Sequence, residues 1–124
     1  MEIEGLLLTY VDGLTLTSTF EGNDSTQRLA AASTAMFLLS EQTSAAWGSG
    51  ESMEVALRLK PTRAKRYPRY VSLKPVGVHA VLIGVYRINQ RVNLINADLN
   101  TAAAYLDALM RGENPTMPYA WQSR

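Results

Sequence analysis

The stretch IEGLLLTYVDGLTLTSTF, Ile3 to Phe20, decides the fold. As far as Val11 both alternating faces are apolar, with Leu6, Leu8 and Tyr10 on one side and Ile3, Leu7 and Val11 on the other. A strand of that kind needs cover on both sides, so it belongs in the middle of a sheet. Asp12-Gly13 predicts a two-residue hairpin loop of type I′, because that turn needs positive φ at both positions and glycine meets it without steric cost. Leu14 to Phe20 then alternates Leu14, Leu16 and Phe20 with threonines, the pattern of a strand with one wetter face.

A second run, VHAVLIGVY from Val78 to Tyr86, is also apolar on both faces and predicts another central strand. Arg69 to Lys74 precedes it as a strand, and Pro75-Val76-Gly77 forms the turn between them. MEVALRLK, Met53 to Lys60, puts Met53, Val55, Leu57 and Leu59 on one face and Glu54, Ala56, Arg58 and Lys60 on the other, as expected of an edge strand buried on one side. His79 falls inside the second central run with no other titratable residue near it in sequence, and reads as a structural residue rather than a ligand or base.

Two helices complete the pattern. Asp24, with Gln27 three residues on, opens a run that continues to Trp47 and stops at Gly48-Ser49-Gly50. On a helical wheel Leu29, Ala32, Ser33, Met36, Leu39 and Trp47 form the side expected on the sheet. The opposite side carries Ala31, Thr34, Ala35, Leu38 and Ala45, where only Gln27, Glu41 and Gln42 are strongly polar. A solvent-facing stripe normally collects Lys and Glu, so this face suits close approach by another protein or subunit. Alanine propensity on a plain surface helix gives the same composition. Asp98 is the expected cap of a last helix in which Leu99, Ala102, Ala103, Leu106, Leu109 and Met110 recur at helical spacing before Gly112. Two central strands need cover on both faces, which predicts an α+β domain over residues 1–112. Its five-stranded antiparallel sheet carries the long helix on one face and the C-terminal helix on the other. Residues 113–124 form a tail with Met117, Tyr119, Trp121 and two prolines.

Composition narrows the chemistry. With 124 residues and no cysteine, the chain makes one core and has neither thiol catalysis nor disulfides. One histidine cannot build a histidine metal cluster, and no metal or cofactor is expected. GSGES, Gly48 to Ser52, lacks the lysine of a mononucleotide-binding loop and precedes a strand, so the chain is not expected to be a GTPase itself. No nucleophile elbow or dinucleotide fingerprint is present, and the expectation is a protein that is not an enzyme. The N-terminal MEIEG lacks the features of a secretory signal, which makes the cytoplasm the expected location.

Charge is divided along the chain. Residues 1–54 hold eight acids against one base, and residues 55–124 hold eleven bases against three acids. Seven bases, Arg58, Lys60, Arg63, Lys65, Arg66, Arg69 and Lys74, fall in a window without an acid. Arg63, Lys65, Arg66 and Arg69 are therefore candidate anion-binding residues for nucleic-acid or membrane phosphates, the alternative being a solvated hairpin whose charges keep an edge strand soluble.

The order strand, DG turn, strand, long alanine-rich helix, edge strand, strand, Pro-x-Gly turn, strand, helix resembles the Roadblock family, named from dynein light chains. The matching residues are GLLLTYVDGLTLTSTF at Gly5 to Phe20, RLAAASTAMFLL at Arg28 to Leu39 and VSLKPVGVHAVLIGV at Val71 to Val85. The resemblance implies a roadblock/profilin-like fold and a homodimer. In that dimer the third strands, here Met53, Val55, Leu57 and Leu59, pair edge to edge and the long helices meet across the dyad. Bacterial and archaeal members typically partner small Ras-like GTPases, activating hydrolysis or serving as a platform, without necessarily donating a catalytic residue. Carried over, the resemblance implies Gln27, Arg28, Ala31, Ala35, Leu38 and Gln42 as partner-binding residues. Many members begin with a further helix, whereas two residues precede Ile3 here; Tyr119 and Trp121 are then expected to cover the sheet face beside the last helix or to bind a partner there.

Overall fold

A computed structural model describes residues 3–20, 24–64, 66–88 and 92–117. Five antiparallel strands and two helices follow in chain order: β1 (Ile3–Tyr10), β2 (Thr15–Ser18), α1 (Asp24–Trp47), β3 (Val55–Leu59), β4 (Arg69–Val76), β5 (Ala80–Arg87) and α2 (Val92–Met110). The sheet order is β2-β1-β5-β4-β3. The two strands apolar on both faces, β1 and β5, pair directly through Leu7↔Ile83 and Leu8↔Leu82, as their composition requires.

Alternation along those strands sends side chains into two cores. On one face Leu7, Val71, Leu73, Val81 and Ile83 pack with Ala30 and Phe37 of α1. On the other, Leu8, Val76, Leu82 and Tyr86 pack with Ile95, Leu99 and Ala103 of α2. The helices therefore lie on opposite faces of the sheet. Both end in Schellman motifs: the Ser49 amide donates to the Ser44 carbonyl (2.9 Å) and the Gly48 amide to Ala45 (3.1 Å), and Glu113 and Gly112 repeat the pattern on Ala108 and Leu109 (both 3.0 Å).

Several local expectations are corrected. The β1–β2 loop has three residues, not two: the Gly13 amide donates to the Tyr10 carbonyl and the Tyr10 amide to Leu14, both at 2.9 Å. Only Gly13 has positive φ, at 93°, so the loop is a type I turn closed by a glycine bulge. Asp12 instead accepts the Leu14 amide on its carboxylate (2.9 Å). Pro75 lies within β4 opposite Val81, and the β4–β5 turn is Gly77-Val78-His79. His79 is thus an exposed turn residue whose carbonyl accepts the Val11 amide (2.9 Å), and not part of a strand. Met53 precedes β3 and is exposed. Helix α2 begins six residues before Asp98, which is therefore mid-helix and no cap; Ile95 is buried with Leu99 one turn later, and that pair extends the apolar stripe through a segment whose asparagines suggested a loop.

Helix α1 is rotated relative to the expected wheel. Thr26, Ala30, Ser33, Thr34 and Phe37 are buried, whereas Ala32, Leu39 and Trp47, expected on the sheet, are exposed. Thr34 can face the sheet because its hydroxyl donates back to the carbonyls of Ala30 (2.9 Å) and Ala31 (3.0 Å).

Candidate functional surface: the outer face of α1 and the β3 edge

The outward face of α1 gathers the residues singled out from the sequence. Gln27, Arg28, Ala31, Ala35, Leu38 and Gln42 are all exposed. Ala45 is exposed as expected, and the rotation of the helix adds Ala32, Leu39, Ala46 and Trp47 to the same surface, with Leu38 46%, Leu39 60% and Trp47 86% exposed. Arg28, Ala35 and Gln42 recur every seven residues, as do Ala31, Leu38 and Ala45 and again Ala32, Leu39 and Ala46. That spacing keeps each triplet on one face of the helix, and together the three triplets carry no acid and a single base, Arg28. Small residues along such a seam let two backbones approach closely.

Strand β3 lies at the edge of the sheet and pairs with β4 from Val55↔Leu73 to Leu59↔Arg69. Val55 and Leu57 are half-buried against the α1 core, while Ala56, Arg58 and Leu59 are exposed. An exposed edge with apolar residues on one face is a template for pairing with another strand. The loop from α1 to β3 is tied back to the helix: Ser40 Oγ and Ser52 Oγ bond at 2.9 Å, and the Ser52 amide donates to Glu41 (3.3 Å). The outer helix face and the β3 edge are thereby held in fixed relation on one side of the molecule.

The basic window does not act as a unit. Arg69 is buried, with its guanidinium forked onto both oxygens of Glu4 and its Nη1 donating to the Tyr67 carbonyl at 2.8 Å. Glu4 holds that guanidinium above its ordinary pKa, chiefly through the hydrogen bond. Such a pair anchors β4 to β1 and removes Arg69 from the candidate anion-binding set. Lys74, 2% exposed, is likewise committed to Glu54, and Arg58 lies over the Tyr70 ring, 5.6 Å from its centroid. Arg63 and Arg66 are exposed; Lys65 lies outside the described residues, as do Tyr119 and Trp121. The division of charge along the sequence is thus partly structural, since acids of the first half pair with bases of the second. Among the described residues no group of three or more His, Asp or Glu side chains is placed to hold a metal, and no helix is long and apolar enough to cross a membrane.

No protein-family model and no curated protein sequence matches the chain. Solved structures do. A Roadblock/LC7 domain from Streptomyces avermitilis superposes with a TM-score of 0.70 at 17% identity, covering 90% of this chain and 85% of that one. MglB of Myxococcus xanthus gives 0.73 at 14% identity, covering 89% and 85%, and the gliding protein MglB of Thermus thermophilus gives 0.69 at 14%, covering 85% and 76%. A further MglB structure, described as having a tetrameric arrangement, gives 0.67 at 16% identity. The strand order, the two faces of the sheet and the placement of both helices are those of the Roadblock/LC7 fold, and that is the fold of this chain.

Proposed function

We propose that the chain is a non-enzymatic, homodimeric regulator or scaffold that binds a small Ras-like GTPase. One observation carries this reading: the outer face of α1 is an exposed stripe of alanines and leucines beside an edge strand. Two copies related by a dyad perpendicular to the sheet join their β3 edges into one continuous sheet and bring the two α1 seams together. The partner GTPase docks on the paired helices through Gln27, Arg28, Gln42 and the parts of Leu38 and Leu39 left uncovered. The resemblance to the Roadblock family and the likeness in fold to MglB support this assignment of partner.

Sedimentation velocity tests the dimer, which should persist on dilution into the low micromolar range and break when Leu38 becomes Asp. A chain that sediments as a monomer at every concentration removes the helix-pair platform. Retention of a GTPase on the tagged protein with a GTP analogue, compared with GDP and with nuclease treatment, tests the partner. A nucleic acid as the main retained material transfers the function to Arg63 and Arg66.

A further inference from the structure

A cavity of about 400 Å³ opens between the first turns of α1, the end of β3 and the adjoining ends of β4 and β5. Its walls are apolar: Phe20, Leu29, Leu59, Val71 and Val85 line it. The Phe20 wall owes its position to Gly5, because the ring lies so close over β1 that a Cβ at Gly5 would stand 2.2 Å from the ring carbon Cζ. Among the described residues its polar groups are the hydroxyls of Ser25, Thr26 and Thr62 and two cations. Arg69 is neutralised by Glu4, which leaves the exposed ammonium of Lys60 as the unbalanced charge. No carboxylate lines this cavity among the described residues, although the cavity under Leu38 is lined by Glu41 and Glu51. The size falls within the usual range for small-molecule sites, about 300 to 1,000 Å³, and apolar walls with a few polar groups are the usual composition.

We infer that this cavity binds a single-chain anionic amphiphile, a medium-length acyl chain ending in a carboxylate. The chain lies against Phe20, Leu29, Val71 and Val85, and the head group meets Lys60 with Ser25 as a hydroxyl donor. A wholly apolar ligand leaves Lys60 without a counter-charge, and a small anion leaves the walls wet. The site makes no use of the outer face of α1, although its wall residue Leu59 ends the β3 edge given above to the dimer.

Isothermal titration with decanoate and, in parallel, decanol tests it on the full chain. Decanoate should bind at one site per chain, with decanol at least tenfold weaker. Lys60→Glu should weaken decanoate at least tenfold, and Val85→Trp, which fills the cavity, should abolish binding. Should Val85→Trp fail to fold, Ser25→Trp on the exposed first turn of α1 fills the same space from the solvent side. Equal binding of decanol, an unchanged affinity in a folded cavity-filled variant, or no heat with decanoate overturns the inference. If filling the cavity changes self-association and leaves decanoate binding as it was, the cavity belongs to an interface between copies and the inference falls.

Discussion

Leu38→Asp probes the outer face of α1 at a residue outside the two buried clusters of the core. The side chain is 46% exposed, so roughly half of its apolar area is still open to a second copy. Burying a whole leucine is worth about 1.5 to 3 kcal/mol, which puts the remaining half at about 1 kcal/mol. Two-fold symmetry counts each substitution twice, so Leu38→Ala should cost the dimer about 2 kcal/mol, roughly 30-fold in its dissociation constant. Asp goes further, because a carboxylate left unpaired in an apolar seam costs about 1 to 3 kcal/mol more per copy. The combined loss is about 4 kcal/mol or more per dimer, roughly a thousandfold. Sedimentation velocity over a dilution series reads both values. Thermal unfolding supplies the control: wild type should melt at a temperature that rises with protein concentration, and Leu38→Asp at one that does not. A folded Leu38→Asp protein whose dissociation constant moves by less than about threefold would refute the role given to this face.

Tyr86 gives a pH prediction. Burial pushes its phenol above the ordinary value of 10.0, the hydrogen bond with Ser72 working against it, so above pH 10 the unfolded chain loses this proton before the native one does. The native state then holds more protons than the unfolded state, and stability falls as pH rises through that range. Melting temperatures between pH 9 and 11 should drop more steeply for wild type than for Tyr86→Phe; parallel curves contradict the assignment. Gly5→Ala brings a methyl against the Phe20 ring, which must move, and overpacking of this kind costs about 1 to 3 kcal/mol by chemical denaturation. Pairing Gly5→Ala with Phe20→Leu should recover part of that loss, and no recovery refutes the contact as its cause.

The layers of the fold were legible because β1 and β5 are apolar on both faces, a pattern that two central strands need and surface strands lack. The position of α1 was legible from its length and its glycine stop, but its rotation was not. The wheel turned Leu39 and Trp47 inward because they are large and apolar, whereas the sheet accepts Thr34 and Thr26 beside the expected Ser33, with Thr34 bonded back to its own helix. Hydrophobicity alone cannot rank a back-bonded threonine against an exposed leucine. The pairing of Arg69 with Glu4 was beyond sequence reasoning for another reason: the residues are 65 apart and meet only after β1 and β4 have packed on either side of β5. The early start of α2 was hidden by asparagines, which favour turns until a buried face such as that of Ile95 and Leu99 outweighs them.

The platform formed by paired α1 helices is tested most directly by its partner. Tagged protein should retain a Ras-like GTPase preferentially when the source lysate carries a GTP analogue, and Leu38→Asp should lose that retention while still folded. Absence of any GTPase in both nucleotide states, or equal retention by Leu38→Asp, would contradict it.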